Sequence, residues 1–337
     1  MAEVGASARR GEGLAPATVR RVTEIAARSP LAIEPFLING AVAQASGDED
    51  RAERLFEEAR TRDPRSEAAR YFLADRYLRS GRTAAALSEM AVFSRLVPTA
   101  AEQFGPALAS FARTPGVIPQ MRRFFRSSPE FEPLVLSYLA TDAGNADLIL
   151  KLASPVSGSH PWQEQIVAAL VDREEYARAR AVWGTISGVK APQARLFNPR
   201  FEAADAPPPF NWTFASSGGV AEPAGNGRLQ IIYYGREDVV LAKQLLMLPP
   251  GRYRLGMQVQ GQTGDGSAIA WTLTCLPQKR AILSLPVMQG QRTVAGDFMV
   301  PPGCPAQQLE LTGSIGEFPQ SIDFTIGNLQ LEAAAGQ

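Results

Sequence analysis

Proline recurs at Pro30, Pro64 and Pro98, one every 34 residues, and this spacing constrains the first half of the chain more than any other feature. Between the prolines, small and apolar positions repeat in register. Phe36, Gly40, Ala52, Phe56 and Ala59 are followed one period later by Arg70, Ala74, Ala86, Met90 and Phe93, with Leu73 and Tyr77 added in the second copy. A period of this length gives one helical hairpin per repeat, and each hairpin buries its apolar face on the next.

The residue types fit that reading. Small residues at Gly40 and Ala74, and again at Ala52 and Ala86, let the two helices of a hairpin approach closely, while Phe56 and Met90 fill the groove between hairpins. Each proline stops a second helix, because it lacks an N–H and crowds the preceding turn. Asp48 and Asp50, after Gly47, supply turn and cap chemistry. On these residues the segment 33–98 resembles two tetratricopeptide repeats, with Arg70 where the pattern usually begins on an aromatic. The resemblance implies an α-α superhelix that binds a protein partner.

The period extends less clearly in both directions. Thr18, Val22, Ile25 and Pro30 fit the second helix of an earlier repeat, but residues 5–13 cannot form its first helix. The natural chain is therefore expected to extend upstream of Met1, with an export or anchoring segment. Downstream, Phe104, Leu108 and Phe111 begin a third copy that Pro115, Gly116 and Pro119 are expected to interrupt. Helical patterns follow at Leu134–Ala140, Ala146–Leu152 and Ile166–Ile186, the last with Tyr176, Ala179 and Trp183. Residues 15–190 read as one helical-repeat domain.

Beyond about residue 192 the periodicity becomes two. Leu229–Tyr234, Tyr253–Gln260, Ile269–Cys275 and Asp323–Leu331 carry apolar residues at alternate positions between Gly and Pro turns, which predicts an antiparallel β-sandwich over residues 195–332. Three segments are similar to jelly-roll carbohydrate-binding modules: Leu196–Glu202 with Pro209–Trp212, the hairpin Leu248–Leu255, and the closing Phe324–Leu331. These are mostly framework residues, so the resemblance implies the fold more strongly than it implies sugar binding. In such modules the opening Glu and an Asp in the last strand often help to hold calcium. Here Glu202 is present but Gly327 stands in the second place, so structural calcium is not expected, and a site would have to use Glu202 with backbone carbonyls.

Charge limits the partners. Lys plus Arg equals Asp plus Glu at 34 each, with 25 basic against 23 acidic residues through residue 195 and 9 against 11 beyond it. Neither half has the basic excess that a phosphate backbone requires, so no nucleic-acid partner is expected. The cluster Arg122, Arg123 and Arg126 reads as a solvated helix face. With no apolar run of 18 residues, no membrane span is expected.

Cys275 and Cys304 are the only cysteines. They read either as unrelated thiols or as one bridge between strand ends. The bridge is favoured and would place the chain in an oxidising compartment, periplasmic or extracytoplasmic; the alternative is cytoplasmic.

Catalytic signals are weak. His160 is the only histidine, which removes any multi-histidine metal site, and its neighbours Ser159 and Pro161 place it at a helix start. The β-domain carboxylates Asp238, Asp265, Asp297, Glu310 and Asp323 are expected mostly to adjoin turns. No cofactor and no catalytic activity are expected.

Parity sorts the aromatic residues. Trp271 is in phase with Ile269 and Leu273, Phe210 with Trp212 and Phe214, and Tyr233 with Leu229, all core positions. Tyr234, Gln230, Arg254, Gln258 and Gln260 fall on the polar phase. A ring beside Arg and Gln donors suits a sugar, and Tyr234, Arg254, Gln258 and Gln230 are its candidate ligands. The commoner alternative for such a surface is a solvated sheet face. Taken together, the chain reads as a non-catalytic scaffold from a high-GC bacterium, with repeats that bind protein and a sandwich that binds saccharide in envelope or surface-polysaccharide assembly. The alternatives are a pure protein-interaction adaptor and, behind it, a polysaccharide hydrolase or lyase.

Overall fold

A computed structural model describes residues 20, 24, 32–155, 160–189, 195–262, 269–288, 290–315 and 321–334. Thr18, Val22, Ile25, Pro30, Ser159 and Asp265 lie outside the described residues. Two compact units divide at Tyr138 and Leu139.

In the first unit, α1 (Glu34–Ala45) packs on α2 (Glu49–Arg62), α2 on α3 (Glu67–Arg79), and α3 on α4 (Thr83–Leu96). The Asp48 side chain caps α2 by accepting from the Arg51 N–H at 3.2 Å, and Gly47 supplies the positive φ of +79° that the turn needs. Pro64 and Pro98 follow the ends of α2 and α4. The expected small-residue contact is present: a Cβ on Gly40 would lie 3.0 Å from the Phe56 ring. That ring stacks on Phe72 of the next hairpin, with centroids 4.3 Å apart. Ala52, Ala74, Ala86 and Tyr77 are buried. Burial, then the Glu57 carboxylate that accepts its hydroxyl at 2.7 Å, push Tyr77 up to about 12.

Arg70, the departure from the repeat pattern, has a specific use. Its guanidinium donates to the Pro64 carbonyl and pairs at 2.5 Å with Glu89, a nearly buried carboxylate that Arg60 also reaches. A buried carboxylate needs such partners.

The third copy keeps both helices but loses the close hairpin packing of the first two, as the proline and glycine cluster predicted. After α5 (Ala100–Ala112), Pro115 and Gly116 form the turn, Gly116 at φ +84°, and α6 (Ile118–Ser127) resumes with Pro119 in its first turn, where a missing N–H costs nothing. α7 spans Phe131–Ala140.

The second unit holds α8 (Ala146–Leu152), α9 (Pro161–Asp172) and α10 (Tyr176–Ser187), followed by strands. His160 stands at the start of α9, where its N–H donates to Gln163 Oε1 at 2.9 Å. The sequence reading divides the chain where helix gives way to strand, whereas compactness divides it earlier because α10 is tied to the sandwich. Trp183 packs edge-on to Phe197 and against Phe210, and Arg180 lies 4.3 Å from the Trp183 ring centroid. Burial pushes the Arg180 guanidinium down.

The strands are β1 (Thr213–Phe214), β2 (Gly219–Gly225), β3 (Arg228–Tyr233), β4 (Val239–Leu246), β5 (Gly251–Gln262), β6 (Ile269–Leu276), β7 (Arg280–Pro286), β8 (Thr293–Val300), β9 (Ala306–Gly313) and β10 (Ile322–Ala333). They form two antiparallel five-stranded sheets, β1-β4-β9-β6-β7 and β2-β3-β10-β5-β8. The eight strands from β3 onward split as β3-β10-β5-β8 and β4-β9-β6-β7, the jelly-roll order. Their alternate apolar residues, Trp271, Tyr233, Ile231 and Phe324 among them, form one core with Trp212, which precedes β1.

Cys275 and Cys304 are joined by a disulfide, with Cα atoms 5.5 Å apart. The expectation that the carboxylates adjoin turns fails for three of them: Asp297, Glu310 and Asp323 lie inside β8, β9 and β10. β8 and β9 were not among the alternating segments recognised in the sequence, and Asp323 is the second residue of β10.

Candidate functional site

The outer face of the β2-β3-β10-β5-β8 sheet is set by strand register. Arg228 of β3 pairs across Gly327 of β10 with Gln258 of β5, and Gln230 pairs across Thr325 with Gln260. Since side chains alternate faces, these residues share the surface opposite the core. Between Gly327 and Gln330 the ladder shifts register, and Asn328 takes φ +50°. The bulge bends β10 at this point.

A groove of about 430 Å³ opens over the bulge. Gln258, Gln260, Thr325, Gly327, Asn328 and Gln330 are among its lining residues, and so are Pro199, Arg200 and the β2–β3 turn at Asn226 and Gly227. Both turn residues have positive φ, +52° and +71°, as a tight hairpin requires. Arg200 lies over Gly227, where a Cβ would come 3.6 Å from its side chain. The Asn198 side chain holds this wall by bonding both the N–H and the carbonyl of Glu202, at 2.9 and 2.7 Å.

The four sequence candidates do not form one site. Gln258 lines the groove. Gln230 neighbours it but donates to the Asp323 carboxylate. Arg254 is taken by Asp297, with Nη1 at 2.9 and 3.0 Å from its two oxygens. Tyr234, 43% exposed, falls just past the end of β3 rather than within it. Arg254 pairs with Glu332 at the far end of β10, whereas Tyr233 pairs with Ile322 at its start. At about 3.3 Å per residue, Tyr234 and Arg254 are roughly 30 Å apart along the sheet and cannot grip the same sugar ring. Among the described residues no aromatic side chain lines the groove.

Sequence reasoning missed Arg228, Thr325, Asn328 and Gln330. Parity would have found Thr325, within a strand already recognised; Arg228 was lost because that strand was read from Leu229.

Glu202, the calcium candidate, accepts from Arg200 Nε at 2.7 Å. Among the described residues no three His, Cys, Asp or Glu side chains converge as a metal site. Among them, too, no helix is long and apolar enough to cross a membrane.

Residues 43–103 match the tetratricopeptide repeat model. No curated protein matches the chain. Solved structures similar to the chain include a CBM4 structure at 12% identity and TM-score 0.33, covering 41% of this chain and 99% of that one. Another is a complex of accessory secretory proteins 1, 2 and 3 from Streptococcus pneumoniae, at 9% and 0.28, covering 36% of this chain and 90% of that one. A third is the N-terminal cellulose-binding domain of the Cellulomonas fimi β-1,4-glucanase C, at 13% and 0.27, covering 38% and 91%. Identities and scores this low leave the ligand to be argued from the residues themselves.

Proposed function

We propose that this protein is a non-catalytic scaffold whose helical repeats, residues 15–190, bind a protein partner and whose jelly roll, residues 195–332, binds saccharide in bacterial envelope or surface-polysaccharide assembly. The observation that carries the saccharide half is the groove over the β10 bulge. Side-chain amides, a hydroxyl and guanidinium groups line one concave surface there, the donor and acceptor set that a ring of hydroxyls requires. Gln258 is the sequence candidate that supports it. The repeats support the protein half, since stacked hairpins of this kind expose extended faces to partners. The Cys275–Cys304 bridge supports a periplasmic or extracytoplasmic location.

A second reading has its own observation. Among the described residues the groove has no aromatic lining, which favours a jelly roll that is purely structural in a protein-interaction adaptor. A glycan array probed with the whole chain separates the two. Saccharide binding that Gln258→Ala and Gln330→Ala weaken supports the first; an array with no bound glycan supports the second.

A further inference from the structure

We propose that the groove over the β10 bulge selects an anionic saccharide, a chain of uronate residues whose carboxylate pairs with Arg228; this rests on the saccharide reading above. The inference comes from how charge is distributed on the sheet face. Four arginines lie on or beside it. Arg254 is matched by Asp297 and Arg200 by Glu202, and Arg252 stands at the far end of β5, opposite Met299 and away from the groove. Arg228 has neither an ion pair nor a hydrogen bond among the described residues, although it lines the groove. Two strand carboxylates flank this part of the face: Asp323, which accepts from Gln230, and Glu222 of β2, which stands opposite Gln230 and, among the described residues, forms no ion pair with Arg228. Among the described residues no Asp or Glu lines the groove itself, so its uncompensated charge there is positive.

Gly327 sets the position of that charge. A Cβ there would stand 3.2 Å from Arg228 Cγ, so the bare glycine lets the arginine stem lie across β10 beside Gln258. A planar guanidinium with a free fork matches a carboxylate bidentately. The neighbouring amides of Gln258, Gln260 and Gln330 then serve the hydroxyls of the same chain. The missing aromatic points the same way, because a neutral sugar is commonly held through its C–H face on a ring and no ring is present to hold one.

Isothermal titration calorimetry of the full chain with short oligomers of galacturonate, glucuronate and guluronate, each beside its carboxyl-reduced neutral counterpart, tests this. At low salt an acidic form should bind about ten- to a hundredfold more tightly than its neutral twin, the range of a charged hydrogen bond. The margin should narrow as salt rises, since the site is exposed. Arg228→Gln should erase the margin, weakening the acidic form far more than the neutral one, and Gly327→Ala should reduce the margin by displacing the arginine. Gln258→Ala should weaken both forms alike. Equal binding of the two forms, or a preference that survives Arg228→Gln, overturns the charge selection and leaves the saccharide reading standing. If neither form binds but a neutral glycan does, the selection falls alone. If no saccharide binds, both fall.

Discussion

Trp183, on the last helix before the strands, donates its indole Nε1 hydrogen to the Pro207 carbonyl at 2.7 Å, and the bond is buried. The ring is fully enclosed, with Phe197 and Phe210 against it and Arg180 over its face. A helix that reads as part of a repeat is thereby made part of the sandwich unit.

Trp183→Phe keeps most of the ring packing but orphans the Pro207 carbonyl, and should cost about 1–2 kcal/mol. Trp183→Ala also leaves a cavity, and should cost about 3–5 kcal/mol. Urea denaturation followed by intrinsic fluorescence and circular dichroism measures both. Equal, small losses would mean that α10 is not anchored through this side chain.

Gly40→Leu probes the repeat register. Its side chain would have to enter space where even a Cβ lies 3.0 Å from the Phe56 ring, which is itself pinned on Phe72. Overpacking of this kind costs roughly 1–3 kcal/mol. The melting temperature of the helical signal should fall, and Gly40→Ala should lie between the variant and the parent.

These contacts were legible in the sequence because helix hairpins repeat their spacing, so Gly40 and Phe56 announce one interface and Ala74 and Met90 its copy. Strand alternation likewise placed Trp271 inside and Gln258 outside. What alternation does not carry is cross-strand register. Gln230 meets Asp323 across 93 positions of sequence, and Arg254 meets Asp297 across 43. Neither pairing follows from a local pattern, and both consume residues that looked available for a ligand. The bulge at Asn328 did leave a trace, because the buried positions step from Ile322, Phe324 and Ile326 to Leu329 and Leu331, the change of phase that one inserted residue produces. Arg70 shows the limit of local pattern in the helices: it looked like a missing aromatic, and only Glu89, 19 positions away, explains it.

The disulfide should stabilise the sandwich measurably. Bridging residues 29 positions apart restricts the unfolded chain by about 3.6 kcal/mol in the chain-entropy model. Differential scanning calorimetry with and without reductant, and of Cys275→Ser/Cys304→Ser, should show the loss. Two thiols titrating in unreduced, denatured protein would remove both the bridge and the support it lends to an oxidising compartment.

Glu310 gives a prediction whose sign runs against the usual carboxylate. It lies mid-strand in β9, where burial pushes its pKa up and the cross-strand Lys243 only partly offsets this. A carboxyl with a raised folded pKa holds its proton more tightly when folded. Its contribution to stability is therefore present below the ordinary glutamate range and is lost as pH rises through the raised value. Glu310→Gln removes that titration without changing shape. The variant should be more stable than the parent at neutral pH, and the two should converge as pH falls below the ordinary glutamate range. Urea midpoints across that pH range provide the comparison. A variant less stable at neutral pH would mean that attraction to Lys243 outweighs the cost of burying the charge.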